Sequence, residues 1–186
     1  MRFRSMIARG LTLLLLFSAT GTFGKEVFQA RMFTGSGGVT SERVLTVRFE
    51  VESFTTRDEV FLLAQTLQQH GYNAFIDLFR RSGKGVIRFM GSRGLNIPLK
   101  VANDIATDGG RKIQLFAEAQ GWNVDARKTY DGQFLFLVVE LEFNAKGKGS
   151  GRICEAARIG FTPEGDFKME TYLTTPVVLS AVKKLD

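Results

Sequence analysis

Residues 130–143, YDGQFLFLVVELEF, form the longest apolar run beyond the first two dozen residues. Successive side chains on a strand point to opposite faces. Leu135, Leu137, Val139, Leu141 and Phe143 therefore share one wholly apolar face. Phe134, Phe136, Val138, Glu140 and Glu142 share the other, apolar in its first half and acidic in its second. A strand with one wet face alternates from end to end. The Phe134, Phe136 and Val138 half thus needs a cover, and a helix, a loop or a bound ligand would each supply one. The run demands a central strand, with Glu140 and Glu142 at the rim of whatever covers it.

The segments before it supply partners. Val27–Thr34 and Arg43–Glu52 alternate, with Phe28, Ala30 and Met32 on one face of the first and Leu45, Val47, Phe49 and Val51 on one face of the second. They read as an antiparallel hairpin. The period then changes to that of a helix. Thr56 and Glu59 have capping-box spacing, and Val60, Leu63, Ala64 and Leu67 follow at helical intervals. Gly71 ends this helix, Arg57–His70. Asn73 opens a shorter one, Ala74–Arg81.

Further strands follow at Gly85–Gly91, at Leu95–Ala102 with Leu95, Ile97, Leu99 and Val101 together, and at Arg111–Glu118. Pro98 marks an edge or a bulge. After the opening run, Gly147, Gly149 and Gly151 make a turn. Arg152–Phe161 returns, with Ile153, Ala157, Ile159 and Phe161 on its apolar face. Phe167–Leu173 is a last strand, and Val177–Val182 reads as a short helix or an edge strand. The whole predicts an α+β fold. A twisted, mainly antiparallel sheet of about seven or eight strands, partly closed into a barrel at its limit, packs on one main helix and a short second one.

Residues 1–24 stand apart. Arg2, Arg4 and Arg9 precede the apolar Leu11–Phe17 and then small residues, the order of a secretory signal peptide. The expected organisation is a leader, 1–24, and a single domain, 25–186. Without Arg2, Arg4 and Arg9, and with no acid among those residues, the formal charge falls from +6 to +3. The high pI therefore makes no case for nucleic acid. Membrane attachment enters through an uncleaved leader alone. The single Cys, Cys154, excludes an intrachain disulfide. These features predict a bacterial protein exported to the periplasm or beyond.

Few constellations carry chemistry. Nucleophilic catalysis of the Ser-His or Cys-His kind needs a placed histidine, and the only one is His70 at a helix end. One Cys and one His argue against zinc. Asp104 and Asp108 do not match a calcium loop. Gly147–Gly151 with Lys146 and Lys148, and Ser82–Gly85, lack the phosphate-loop pattern and a following helix. No cofactor or metal is expected. Arg80, Arg81, Lys84, Arg88 and Arg93 form a basic cluster that reads as a solvated face, the alternative being contact with anionic polymer or lipid head groups. Glu155 shares parity with Ile153, so alternation turns it inward, where a carboxylate must be paired or protonated. A bulge after Ile153 would turn it outward, and Arg111 or Arg158 could pair with it.

Gly109, Gly110, Arg111, Ile113 and Leu115, then a later apolar strand, a Gly/Lys turn and Pro176, Val177 and Leu179, resemble small exported bacterial proteins of unknown function. That resemblance implies no activity. The expected function is a non-catalytic exported domain binding a small apolar ligand or a protein partner. Phe134, Phe136, Val138, Glu140 and Arg111 are its candidate ligand contacts. The alternative is a carboxylate hydrolase of polysaccharide or ester substrates, with Glu155 as its candidate acid.

Overall fold

The computed structural model describes residues 24–34, 43–91, 95–119, 136–172 and 175–186. Phe134 and residues 1–23 of the expected leader lie outside them. Among the described residues there are nine strands: β1 Glu26–Thr34, β2 Arg43–Val51, β3 Gly85–Met90, β4 Asn96–Thr107, β5 Gly110–Glu118, β6 Phe136–Asn144, β7 Gly149–Phe161, β8 Phe167–Tyr172 and β9 Val177–Leu185. Their order is β6-β5-β4-β3-β2-β1-β9-β7, and β7 pairs back onto β6. The sheet is thus a closed, antiparallel eight-stranded barrel, with β8 hanging from the far half of β7. The barrel expected as a limit is fully formed. Val177–Leu185 is neither a helix nor an edge: β9 pairs with both β1 and β7 and closes the ring.

Alternation fills the barrel. Phe28, Met32, Val47, Phe49, Ile87, Ile97, Leu99, Leu115, Leu137, Val139, Leu141 and Ile153 form one buried cluster inside. A second cluster lies outside the wall, where Val60, Leu63, Phe75, Ile76 and Phe79 of the helical element α1, Arg57–Arg81, cover Val101, Phe116, Phe136, Val138 and Cys154.

The two expected helices are one element, because no loop separates them. Gly71 alone leaves helical geometry, at φ 80° and ψ −177°. Both oxygens of the Glu59 carboxylate, near the start of α1, accept from Lys84 just past its end, at 2.7 and 2.8 Å. A straight helix of this length would hold its ends about 36 Å apart, so the chain reverses at Gly71. The capping box at Thr56 is formed in both directions.

Bulges correct two facial assignments and set a third. In β4 the register shifts between Leu99 and Val101. Val101 therefore turns out beneath α1 while Ala102 takes the inward place. In β7 two residues, Glu155 and Ala156, stand against the single Leu137 of β6, and Ala156 has φ 48°. Ile153 consequently faces in, whereas Ala157 and Ile159 lie in the outer cluster. In β9, Ala181 at φ 50° lets Leu179 and Val182 both face in. Pro98 is not on an edge strand: it lies inside the ring, paired with Val86, two residues before the β4 bulge.

Candidate functional site

The candidate residues from sequence fall in four separate places. Phe136 and Val138 are fully covered by α1, with the Phe79 ring edge-on to Phe136 at 5.2 Å and the Phe75 ring at 6.3 Å. The cover that the opening run demanded is the helix.

Glu140 stands in the next outward row and is 4 % exposed. Its carboxylate accepts from Gln114 at 2.9 Å, Lys112 at 2.7 Å and Arg152 Nε at 2.6 Å. Burial alone would raise its pKa. The donors from Lys112, Gln114 and Arg152 outweigh that and hold it below the usual carboxylate value. Cys154 nearby is buried, and burial pushes its thiol up, away from the reactive thiolate.

Arg111 lies at one end of the barrel, here called the lower end, with the β4–β5 and β6–β7 turns. Its Nε donates to Asp104 at 2.6 Å, and its Nη2 pairs with Glu26 at 2.8 Å. Its guanidinium sits over the Phe54 ring at 5.3 Å and near Phe28 at 5.9 Å. Lys184 joins the same Glu26. Arg111 is thus the centre of a plug and not a partner to Glu155. Beside it a surface groove of about 530 Å³ runs past Lys112, Glu142, Asn144 and Lys148.

Glu155 occupies the β7 bulge and is half-buried, and burial pushes its carboxyl above the usual value. Arg158, its other suggested partner, is ion-paired to Glu170 at 2.8 Å. Glu140 is committed to its own cluster, so these two acids do not form a catalytic pair. Among the described residues, no group of three His, Cys, Asp or Glu stands together as a metal site.

Sequence reasoning missed the outer wall opposite the helix, made of β9, β1, β2 and β3. Its outward residues fall in rows across the strands. The row nearest the upper end holds Phe33 beside its partner Val44, with Val178 next on β9. They are 51 %, 53 % and 67 % exposed. The second row is Ser180, Arg31, Thr46 and the exposed Met90. The third is Lys183, Gln29, Arg48 and Arg88. Four outward cations thus face one outward carboxylate on these strands, Glu50. That acid is bound to Arg88 at 2.8 Å and to Lys25 at 3.4 Å. Arg48 and Arg88 are directly opposed across β2 and β3, and the buried Nε of Arg48 has no hydrogen-bond partner. The signal was visible in the sequence as Phe33, Val44, Met90 and Val178 at outward parity, but it needs the register to join them.

The chain matches no family model, no curated protein and no solved structure.

Proposed function

We propose that this chain is an exported, non-catalytic domain that acts by binding, and that it binds through the wall of β9, β1, β2 and β3. The observation that carries the reading is the contrast between a filled barrel and a wall that leaves apolar and cationic rows in solvent. A small apolar ligand needs an empty apolar space. Phe136 and Val138 instead meet the rings of α1, so the partner is met outside. Export rests on the order of residues 2–24 and on the lack of cysteine pairs.

The test uses a dye on the wall. Cys154 is buried, so a cysteine introduced as Ser180→Cys is labelled selectively. Its emission should shift when bacterial envelope extract is added, while a label on α1 at Gln69→Cys stays unchanged. If neither label responds, or both respond alike, the wall is not a binding surface.

One observation favours hydrolysis as a second reading. Glu155 combines partial burial, a raised pKa and the strained neighbour Ala156, as general acids do. Ester or polysaccharide hydrolysis that vanishes in Glu155→Gln, with the fold kept, would replace the binding reading.

A further inference from the structure

We infer that the partner of the outer wall is an anionic lipid surface, met with the Phe33 end of the barrel dipping into it. This rests on the wall being the binding surface. The inference stands on the direction in which polarity changes. A protein interface has an apolar centre with a polar rim on all sides. Among the described residues, the outward apolar row Val178, Phe33 and Val44 lies nearest the upper end of the wall, and the outward cations lie further down the same strands. Same-face positions on a strand repeat about every 6.6 Å. Arg31 is thus set back about 7 Å from the apolar row, and Arg48, Arg88 and Lys183 about 13 Å.

Those depths fit a bilayer edge. Peripheral elements bury their apolar side about 5–10 Å into the boundary between headgroups and acyl chains. With Phe33, Val44 and Val178 at that depth, Arg31 lies among the headgroups. The Lys183, Arg48 and Arg88 row lies at their outer surface, within reach of lipid phosphate oxygens. Met90, in the second row beside Thr46, widens the apolar front by one strand. Arg48 and Arg88 stand directly opposed, and like charges so placed repel; Glu50 offsets Arg88 at 2.8 Å, and a lipid phosphate oxygen would offset Arg48. Glu50 is bound to Arg88 and Lys25, and among the described residues no acid pairs with Arg31, Arg48 or Lys183.

The test is flotation of the purified protein with vesicles of phosphatidylcholine alone and of phosphatidylcholine mixed with phosphatidylglycerol. Binding is expected to the mixed vesicles, to weaken with salt, and to be slight on phosphatidylcholine. Arg31→Gln should weaken it about fivefold, from the roughly 1 kcal/mol per basic residue near such a surface. Phe33→Ser should weaken it about tenfold or more, from the burial of one aromatic ring. Phe61→Ser, on the exposed face of α1, should change nothing. All three are surface changes, so unaltered circular dichroism and melting should accompany them. Equal binding to both vesicle types, no binding, or equal loss in Phe61→Ser and Phe33→Ser overturns the inference. If vesicles fail while envelope extract still shifts the Ser180→Cys label, the lipid assignment falls and the wall remains a binding surface for a protein. If both fail, both readings fall.

Discussion

Glu140, buried, and Glu155, half-buried, have opposite pKa directions, and stability against pH separates them. Glu140 is depressed by its donors despite burial. A depressed carboxyl contributes stability that is present above its unfolded pKa and lost as pH falls through the folded one. The urea midpoint should therefore decline on acidification below the ordinary value of 4.5. In Glu140→Gln that decline should shrink, and stability at neutral pH should drop by about 2 kcal/mol, since Lys112 and the half-exposed Arg152 lose their counter-ion. Glu155 is raised by burial. A raised group contributes stability that is complete below the unfolded pKa and lost as pH rises through the folded one. Glu155→Gln escapes that loss. Its melting temperature should exceed that of the parent at neutral pH, and the gap should close toward 4.5. Identical melting curves at all pH values would mean that Glu155 is solvated.

At the level of elements, α1 depends on a single glycine and a single ring cluster. Gly71 at φ 80° and ψ −177° adopts backbone geometry that is open almost to glycine alone. No heavy atom stands within 4 Å of where a Cβ would be. Gly71→Ala should therefore cost about 1–3 kcal/mol through the backbone alone, read as a lowered urea midpoint. A neutral effect would mean that the reversal tolerates another geometry. Phe79→Ala removes the ring edge-on to Phe136 and should cost about 3–5 kcal/mol. The start of α1 was legible because a capping box is a local pattern. So were β1 and β2, where parity holds from end to end. The inward faces of β4, β7 and β9 were not, because one inserted residue reverses parity: Pro98 signals the β4 bulge without fixing its place, and no residue type fixes those of β7 and β9. Ala156 and Ala181 take positive φ without being glycine, so the usual signal for a bulge was absent.

For the whole molecule, eight of the nine strands and the need for a cover over β6 were legible in the sequence, but not the last strand or the closure of the ring it makes. Closure depends on β9 reaching β1, whose contact between Ser180 and Arg31 spans 149 positions. Contacts of that range leave no periodic trace. The candidate site suffered for the same reason: Phe33, Val44 and Val178 are neighbours solely through the β9–β1–β2 register. Truncation after Thr175 removes β9 and should abolish cooperative unfolding altogether. A truncated chain that melts in one sharp transition would show that the remaining strands form a stable open sheet.

The pairing of first strand with last also sets a timetable. During synthesis β1 has β2 on one side and no neighbour on the other until β9 emerges, nearly the whole chain later. Throughout that interval its unpaired backbone edge, and the apolar inner face of β1 to β3, stay open to other chains. The growing polypeptide therefore stays open to pairing with other chains over that interval, and the nine residues of β9 act as the latch that ends it.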